Sequence, residues 1–475
     1  MFFKKKYTIK NIPKYIIGNR SKIPIINQKM LESINFDNAA STPILQPVLE
    51  YIQDYLPWYS SVHRGTGFKS QLSTELYDFC HEQVLNFFQG DFKKDIVIFT
   101  KNTTEAINKL SYRLSLQEDD IVLTSIMEHH SNDLPWRKKC HVEYMQLNKQ
   151  GTLDLNHIEN LIKKYGKKIK LITFTGASNV TGLINPIYEI AQLAHAHGIP
   201  IMVDGAQLAP HRNINMLPHD DPRHIDYLAF SAHKMYAPLG GGGLIGPKKT
   251  FKRGDPEYSG GGTIKSVTLQ NIYWADPPDK EEAGSPNTIG AIALKKSMDI
   301  LKEIGINSIA HHEFELTHYL ISKLKKYPEI ILYENIDSLS IDTKVGVVPF
   351  NIKGLNHALV AAILSYEYGI SVRNGCFCAH PYIHHLLKLS PQQIYMQQKQ
   401  ILQSNYYHVV GMIRISFGMY NQIEEIKHFL TAIEEIIQYS KKDYYQKRYY
   451  LDRKTGAYYP KNYSIDFQKY FLFNS

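Results

Sequence analysis

An α/β fold with a mostly parallel sheet is what this 475-residue sequence predicts. Three observations carry that expectation. Short apolar runs alternate with helical patterns through the middle of the chain, as strands joined by crossover helices do. Five of those runs end in polar, functional side chains, as the carboxyl edge of an open sheet does. Hydrophobic residues make up 43% and charged residues 21%, close to the globular averages of about 45–50% and about 25%, so the chain can bury a full core.

Taken in order, Asp95–Thr100 (DIVIFT) reads as the first strand, because a strand covered on both faces needs a continuous apolar run. A helix follows from about Thr104. Ile121–Ser125 is the second strand and 171–175 (LITFT) the third. A helical pattern over 187–197 leads into the fourth strand, 199–203. The fifth is 225–230, and a sixth begins at 243–246. From 288 to about 326 the pattern is helical, with one break near Gly305. Beyond it the order becomes α+β, with strands at 330–333 and 345–352, a helix from about Asn356, a strand into Val372 and a last helix over 423–439. This predicts a large domain over 46–310 and a smaller one over 311–475. The segment 1–45 is expected to pack with the small domain. The stretch 382–413 reads as an insertion carrying an extra helix.

The formal charge of +9 raises nucleic acid or an anionic surface as a partner. Its placement lowers that expectation. Residues 1–31 hold eight Lys or Arg and no acid, and residues 441–475 hold eight against three Asp, so the ends carry +8 and +5 and leave −4 for 32–440. The basicity reads as solvated surface at two Tyr- and Lys-rich ends. Four cysteines (Cys80, Cys140, Cys376 and Cys378) are too few for a disulfide scaffold, which points to a reducing, cytoplasmic compartment. No apolar run approaches the roughly 18 residues of a membrane helix, and no membrane partner is expected. The N-terminal MFFKKKY is not followed by the apolar stretch of a signal peptide.

Chemistry is expected where the strands end. Lys101, Asn102, Thr103, Thr104 and Glu105 follow the first strand. Met127 to Asn132 follow the second, Gly176 to Asn179 the third, Asp204 to Gln207 the fourth, and Ser231 to Lys234 the fifth. A lysine behind a buried strand is costly unless it is used covalently, and a Schiff-base role suits Lys234. Asp204 closes a very apolar strand and wants a cationic partner, which the pyridinium nitrogen of pyridoxal phosphate would be. His129 could stack on a flat cofactor. Thr103 and Thr104 open a helix, where N–H groups and hydroxyls hold phosphate, and Ser231 and His233 could complete the cup. Glu128, His129 and His130 mimic a metal cluster, but no further ligands share the usual spacing, so no metal is expected. The glycines at 240–243 precede a strand and read as close backbone packing rather than a nucleotide loop; those at 260–262 read as a loop.

Ten stretches occur in one order: FDNAASTP (36–43), VHRGTGFKS (62–70), NTTEAIN (102–108), MEHHSNDLPW (127–136), SNVTG (178–182), VDGAQ (203–207), FSAHKMYAPLGGG (230–242), EAGSPNT (282–288), VRNGCFCAHP (372–381) and RISFGMYN (414–421). In them the chain resembles the class V aminotransferase family of fold-type I pyridoxal phosphate (PLP) enzymes, and within it the SufS-type cysteine desulfurases and selenocysteine lyases. The resemblance covers about residues 35–430. It implies a fold-type I transferase, with a mostly parallel seven-stranded sheet in the large domain and a smaller α+β C-terminal domain. It implies that Lys234 carries the cofactor, Asp204 pairs with its ring nitrogen and Gln207 with its phenolic oxygen. His129 would stack on the ring and assist proton transfer. Thr103, Thr104, Ser231 and His233 would hold the phosphate, joined by Ser285 from the other protomer of a homodimer. Asn179 and Arg373 would clamp the substrate carboxylate, and His63 would line the substrate entrance.

Cys378 matches the nucleophile of the desulfurases, in the pattern Arg-x-Gly-x-x-Cys-Ala-x-Pro. The implied reaction converts L-cysteine or selenocysteine to alanine, leaves sulfur on Cys378 as a persulfide and delivers it to an acceptor protein. Arg373 and His380 are expected to lower the thiol pKa. Cys376 departs from the pattern: in an extended segment it would share a face with Cys378, so either could be the nucleophile, or the pair could oxidise. Two other readings stay open. One is a class V PLP enzyme acting on another amino acid as aminotransferase, epimerase or kynureninase-like lyase. The other is a basic nucleic-acid-binding protein with a vestigial cofactor site.

Overall fold

The computed structural model describes residues 6–26, 29–63, 65–333, 339–406, 409–441 and 444–467. Seven strands form the large sheet: β1 (Asp95–Thr100), β2 (Ile121–Ser125), β3 (His141–Met145), β4 (Ile169–Thr175), β5 (Ile201–Asp204), β6 (Tyr227–Ser231) and β7 (Gly242–Pro247). Their spatial order is β1-β7-β6-β5-β4-β2-β3. β7 runs antiparallel to both neighbours, and every other pair is parallel. Six of these strands are legible because they are buried along nearly their whole length and therefore apolar. β3 escaped detection because only its Met145 is buried, so HVEYM shows no apolar run.

Helix α1 (Thr103–Arg113) follows β1. The Asn102 side chain caps it by accepting the Glu105 N–H, and Ala106, Ile107 and Leu110 bury against Ile98, Val122 and Leu244. Helix α2 (Ile187–His195) stops two residues before the expected end, and Gly198, at φ +70°, turns the chain toward β5. Helices α3 (Thr288–Ile304) and α4 (Ile306–Leu324) part at Gly305, whose φ of +93° accounts for the single break in the helical pattern. A hairpin of Ile264–Val267 and Ile272–Trp274, largely exposed, follows the 260–262 glycines.

Among the described residues the chain forms two compact units. The first comprises Met1–Ile17, Ala39–Phe314 and Asn335–Val345, and the second Gly18–Asn38, Glu315–Glu334 and Gly346–Ser475. The N-terminal segment is thus divided. The Tyr7 N–H is bound by Glu303 in the first unit, and the Phe36 N–H by the Ser371 carbonyl in the second.

The second unit is built on a four-stranded antiparallel sheet of β8 (Ile330–Leu332), β9 (Val347–Ile352), β10 (Arg373–Gly375) and β11 (Met412–Ser416), in the order β8-β9-β11-β10. Helices α5 (His357–Tyr368) and α8 (Ile423–Ser440) belong to it. Between β10 and β11 the 382–413 stretch contributes not one helix but two, α6 (His380–Leu386) and α7 (Pro391–Leu402). Ser390 and Gln393 form a capping box that starts α7. Tyr407 and His408 of that stretch, and residues 1–5 and 468–475 of the basic ends, lie outside the described residues. The C-terminal end is more than solvated surface. Tyr444–Arg448 is helical, Tyr449–Leu451 pairs with Tyr458–Pro460, and Tyr445 and Tyr449 are buried. The charges stay outside while the aromatic bodies pack. No helix among the described residues is long and apolar enough to cross a membrane.

Candidate active site

The parallel strands deliver their carboxyl ends to one edge, and α1 opens there. The Thr103 N–H donates to Ser231 Oγ at 2.9 Å, and the two hydroxyls are 2.7 Å apart. Thr104 Oγ1 lies 2.7 Å from Ser131 Oγ, which lies 2.9 Å from His129 Nδ1. Residues from the ends of β1, β2 and β6 therefore converge on a helix N-terminus, where N–H groups and hydroxyls can hold an anion. The glycine run makes the approach possible. A Cβ on Gly242 would sit 2.7 Å from Asn102 Cα and 2.8 Å from the Phe230 carbonyl oxygen, so this is close backbone packing, as the sequence suggests.

His233 and Lys234 share the short turn Ala232–Lys234 after β6. Burial, and secondarily the Lys234 charge, pushes the His233 imidazole down to about 4, so the ring is neutral at physiological pH. The His233 carbonyl accepts the Thr42 N–H at 2.9 Å and the Thr42 hydroxyl at 3.0 Å, which ties the FDNAASTP stretch to the lysine turn.

Asp204 closes β5 and is buried, with Oδ1 accepting the Ala206 N–H at 2.9 Å. Burial pushes its carboxyl up, opposed by that N–H and by the Lys234 charge. Gln207 donates its amide to the Ala39 carbonyl at 2.7 Å, while its buried Oε1 has no hydrogen-bond partner among the described residues. Both groups suit pyridoxal phosphate. A protonated ring nitrogen is the cation that a buried Asp204 carboxylate calls for, and a phenolic hydroxyl is a donor for the Gln207 oxygen.

Sequence reasoning assigned no role to Glu128 or to the network around it. Its Oε1 accepts the Ser125 hydroxyl at 2.5 Å and its Oε2 the Asn132 amide at 2.7 Å. Asn132 also accepts from the Trp136 indole at 3.1 Å and the Thr173 hydroxyl at 2.7 Å. Burial, with Asp204 adding to it, pushes the Glu128 carboxyl up to about 8, so it is protonated at neutral pH. The network fixes the turn that carries His129, whose Nδ1 accepts the Ser131 N–H at 3.2 Å and so leaves Nε2 as the proton-bearing atom. Asn179 is buried in the loop after β4. His63, at φ +56°, and the exposed Ser285 line one pocket of about 270 Å³ together with Tyr77 and Glu282.

In the second unit, Arg373 on β10 and Arg414 on β11 are directly opposite across the ladder. Asp37 lies at both guanidinium groups, 2.9 Å from Arg414 and 3.8 Å from Arg373. Arg414 is buried, whereas the Arg373 side chain is 55% exposed. Arg414 opens the RISFGMYN stretch, where sequence reasoning assigned it no role. Its signal was an arginine inside an apolar strand, where a buried charge needs a task or a partner.

The loop after β10 corrects two expectations. First, it is not extended: Phe377 and Cys378 have φ of +51° and +54°, so the chain turns between the two cysteines and they do not share a face. Cys376 is buried, its thiol pointing at the Val410 carbonyl 3.5 Å away, and burial pushes it up to about 11. Cys378 is exposed. Second, His380 is not a cation beside the thiol, because burial lowers its pKa. The buried Arg414 of β11 interacts electrostatically with Cys378 and stacks over the Phe377 ring at 4.9 Å, so a cation lies against that loop.

Comparison with known proteins matches this arrangement. The family model described as aminotransferase class-V matches residues 34–429. A protein named probable cysteine desulfurase from Halalkalibacterium halodurans is 34% identical over 88% of this chain and 96% of its own length. A cysteine desulfurase from Escherichia coli O7:K1 is 31% identical over 88% and 97%. The solved apo structure of a cysteine desulfurase from Thermococcus onnurineus NA1 superposes with a TM-score of 0.76 at 31% identity, covering 92% of this chain and all of the other. With a sheet of fold type I, a lysine turn after β6 and a match over most of its length, this chain belongs to the aminotransferase class-V family of PLP-dependent enzymes.

Proposed function

We propose that the protein is a cysteine desulfurase, taking sulfur from L-cysteine, or selenium from selenocysteine, and releasing alanine. One observation carries the reading: of the two thiols in the 376–378 loop, Cys378 alone is exposed, on a turn against which the Arg414 guanidinium of β11 packs. The names of the relatives support it.

Lys234 is assigned the covalent hold on pyridoxal phosphate, Asp204 and Gln207 the ring, and Thr103, Thr104, Ser231 and His233 the phosphate. The cofactor, when bound, supplies the electron sink that stabilises charge at the substrate α-carbon. Asn179, Arg373 and the better-anchored Arg414 are the groups for the substrate carboxylate. Lys234 Nζ or His129 Nε2 moves the α-proton. The Cys378 thiolate then attacks the substrate sulfur. A sulfur–sulfur bond forms, the carbon–sulfur bond breaks, and its electron pair stays with the carbon, which takes up a proton. The enzyme keeps a persulfide, and alanine leaves.

Ser285, exposed beside His63 at the 270 Å³ pocket, is assigned to the phosphate of the other protomer in a homodimer. A sulfur-acceptor protein would discharge Cys378. Four cysteines, all free thiols, suit a reducing cytoplasm.

The test is turnover of cysteine by the yellow holoenzyme, followed as alanine and sulfide in the presence of a thiol reductant. Cys378→Ser is expected to lower turnover by about 100-fold or more, while Cys376→Ser stays within a few-fold of wild type. Undiminished turnover in Cys378→Ser would show that no persulfide forms there. Lys234→Ala should lose the visible absorption.

A further inference from the structure

The amino edge of the large sheet, opposite the candidate active site, carries a second cluster of ligand-type side chains. His195 ends α2, Asp226 immediately precedes β6, and His224 stands two residues before Asp226. His195 Nε2 lies 2.8 Å from Asp226 Oδ2, and His224 Nε2 lies 3.1 Å from Asp226 Oδ1. The three ligand atoms all fall within 4.8 Å of one another. In the sequence the cluster is hidden, because His195 and Asp226 are 31 residues apart, far outside short metal-ligand spacing.

Each side chain is held by its other end. His195 Nδ1 faces the Pro222 carbonyl at 2.7 Å, and His224 Nδ1 faces the Asp221 carbonyl at 3.3 Å. A carbonyl only accepts, so both Nδ1 atoms carry the proton, and both Nε2 atoms turn toward the carboxylate. Asp226 Oδ2 also accepts the Ile201 N–H at 2.8 Å. Backbone carbonyls fixing the tautomer of two histidines is the outer-shell arrangement of metal sites.

A nitrogen lone pair does not sit 2.8 Å from a carboxylate oxygen unless positive charge lies between them. Protons can supply it, and Asp226 raises the His195 pKa, but protonating both rings puts two cations in a stack at 4.4 Å and 22°. One divalent cation supplies the same charge to both nitrogens at once. The nitrogen–oxygen separations, 2.8 Å to Oδ2 and 3.1 Å to Oδ1, set both imidazoles on one carboxylate, within reach of a single ion with bonds of about 2.0 Å. Side-chain exposures of 15%, 11% and 16% leave the cluster shielded but reachable. His219, stacked on His224 at 4.9 Å, is committed to Asp95 at 2.8 Å and is not a ligand.

We propose that His195, His224 and Asp226 bind a divalent transition metal of the Zn²⁺ class, with water completing the shell. The ion would staple α2 to the start of β5 and β6, away from the strand ends that carry Asp204 and Ser231. It is a structural site, independent of the desulfurase reading.

Chelator-treated holoenzyme titrated with Co²⁺ tests this. The expected result is one equivalent bound, with visible d–d bands and no thiolate-to-cobalt charge transfer. The bands should persist in Cys378→Ser and weaken at least about tenfold in affinity in His195→Gln and His224→Gln. Thermal unfolding of the wild type should shift upward with added Zn²⁺. Absent bands, bands that vanish in Cys378→Ser, or undiminished binding in both histidine variants would overturn the proposal. Circular dichroism of each variant before metal addition separates lost binding from lost folding.

Discussion

Cys376 and Cys378 show how two residues of one type, two positions apart, acquire opposite chemistry from their surroundings. With Cys376 pushed up to about 11 by burial, only about one thiol in a thousand is ionised at about pH 8. Limited iodoacetamide at that pH should therefore label Cys378 first, as read by peptide mass spectrometry; equal labelling would show that the 376 thiol is open. Glu128 is the second residue whose environment sets its behaviour. Its value of about 8 lies above the ordinary 4.5, so between those pH values the folded chain binds more protons than the unfolded one. Its contribution to stability is complete below about pH 4.5 and is lost as pH rises toward 8. Glu128→Gln mimics the protonated form and removes that slope. The urea midpoint of the variant minus that of the wild type should grow between about pH 5 and about pH 8, and a constant difference would mean that Glu128 is ionised throughout.

Among the elements, the antiparallel β7 matters most for the candidate site, because it pairs with both β1 and β6 and lets their ends meet without contributing a polar side chain. Its contribution is absence of bulk. Gly242→Ala would place a methyl group 2.7 Å from Asn102 Cα and 2.8 Å from a carbonyl oxygen, both backbone atoms that cannot swing aside. Overpacking of this kind costs about 1–3 kcal/mol. Because the displaced atoms cap α1, the variant should also bind pyridoxal phosphate more weakly, measured by equilibrium dialysis. Unchanged stability and cofactor affinity would show that the helix start relaxes freely. The same elements explain what the sequence hid. β3 lies mostly unburied and shows no apolar run, whereas the buried β1 and β2 are legible to the residue.

For the molecule as a whole, the charge distribution and the packing of the ends are separate matters. The basic excess sits at the two ends, yet the C-terminal end also closes part of the second unit. Tyr445 is among the largest fully buried side chains, and the Tyr449 hydroxyl donates to Glu367 at 3.0 Å. Tyr445→Ala should cost about 3 kcal/mol by emptying an aromatic site. A urea midpoint shifted by less than a third of that would return the C-terminal end to the status of a solvated tail.

The sequence by itself determined the class of fold and the cofactor chemistry. Buried parallel strands are apolar, and ligands of open sheets bind beyond their carboxyl ends, so position alone names Thr103, His129, Asp204, Ser231 and Lys234 as candidates. Tertiary structure decided what depends on burial and long-range pairing. It separated the two cysteines, because one turn with two positive φ values buries one thiol and exposes the other. It withdrew His380 as a cation and set Arg414 of β11 against that loop, because burial neutralises a histidine but leaves an arginine ionised. It also assembled His195, His224 and Asp226 from separate segments, because residues distant along the chain become neighbours only when parallel strands align their starts.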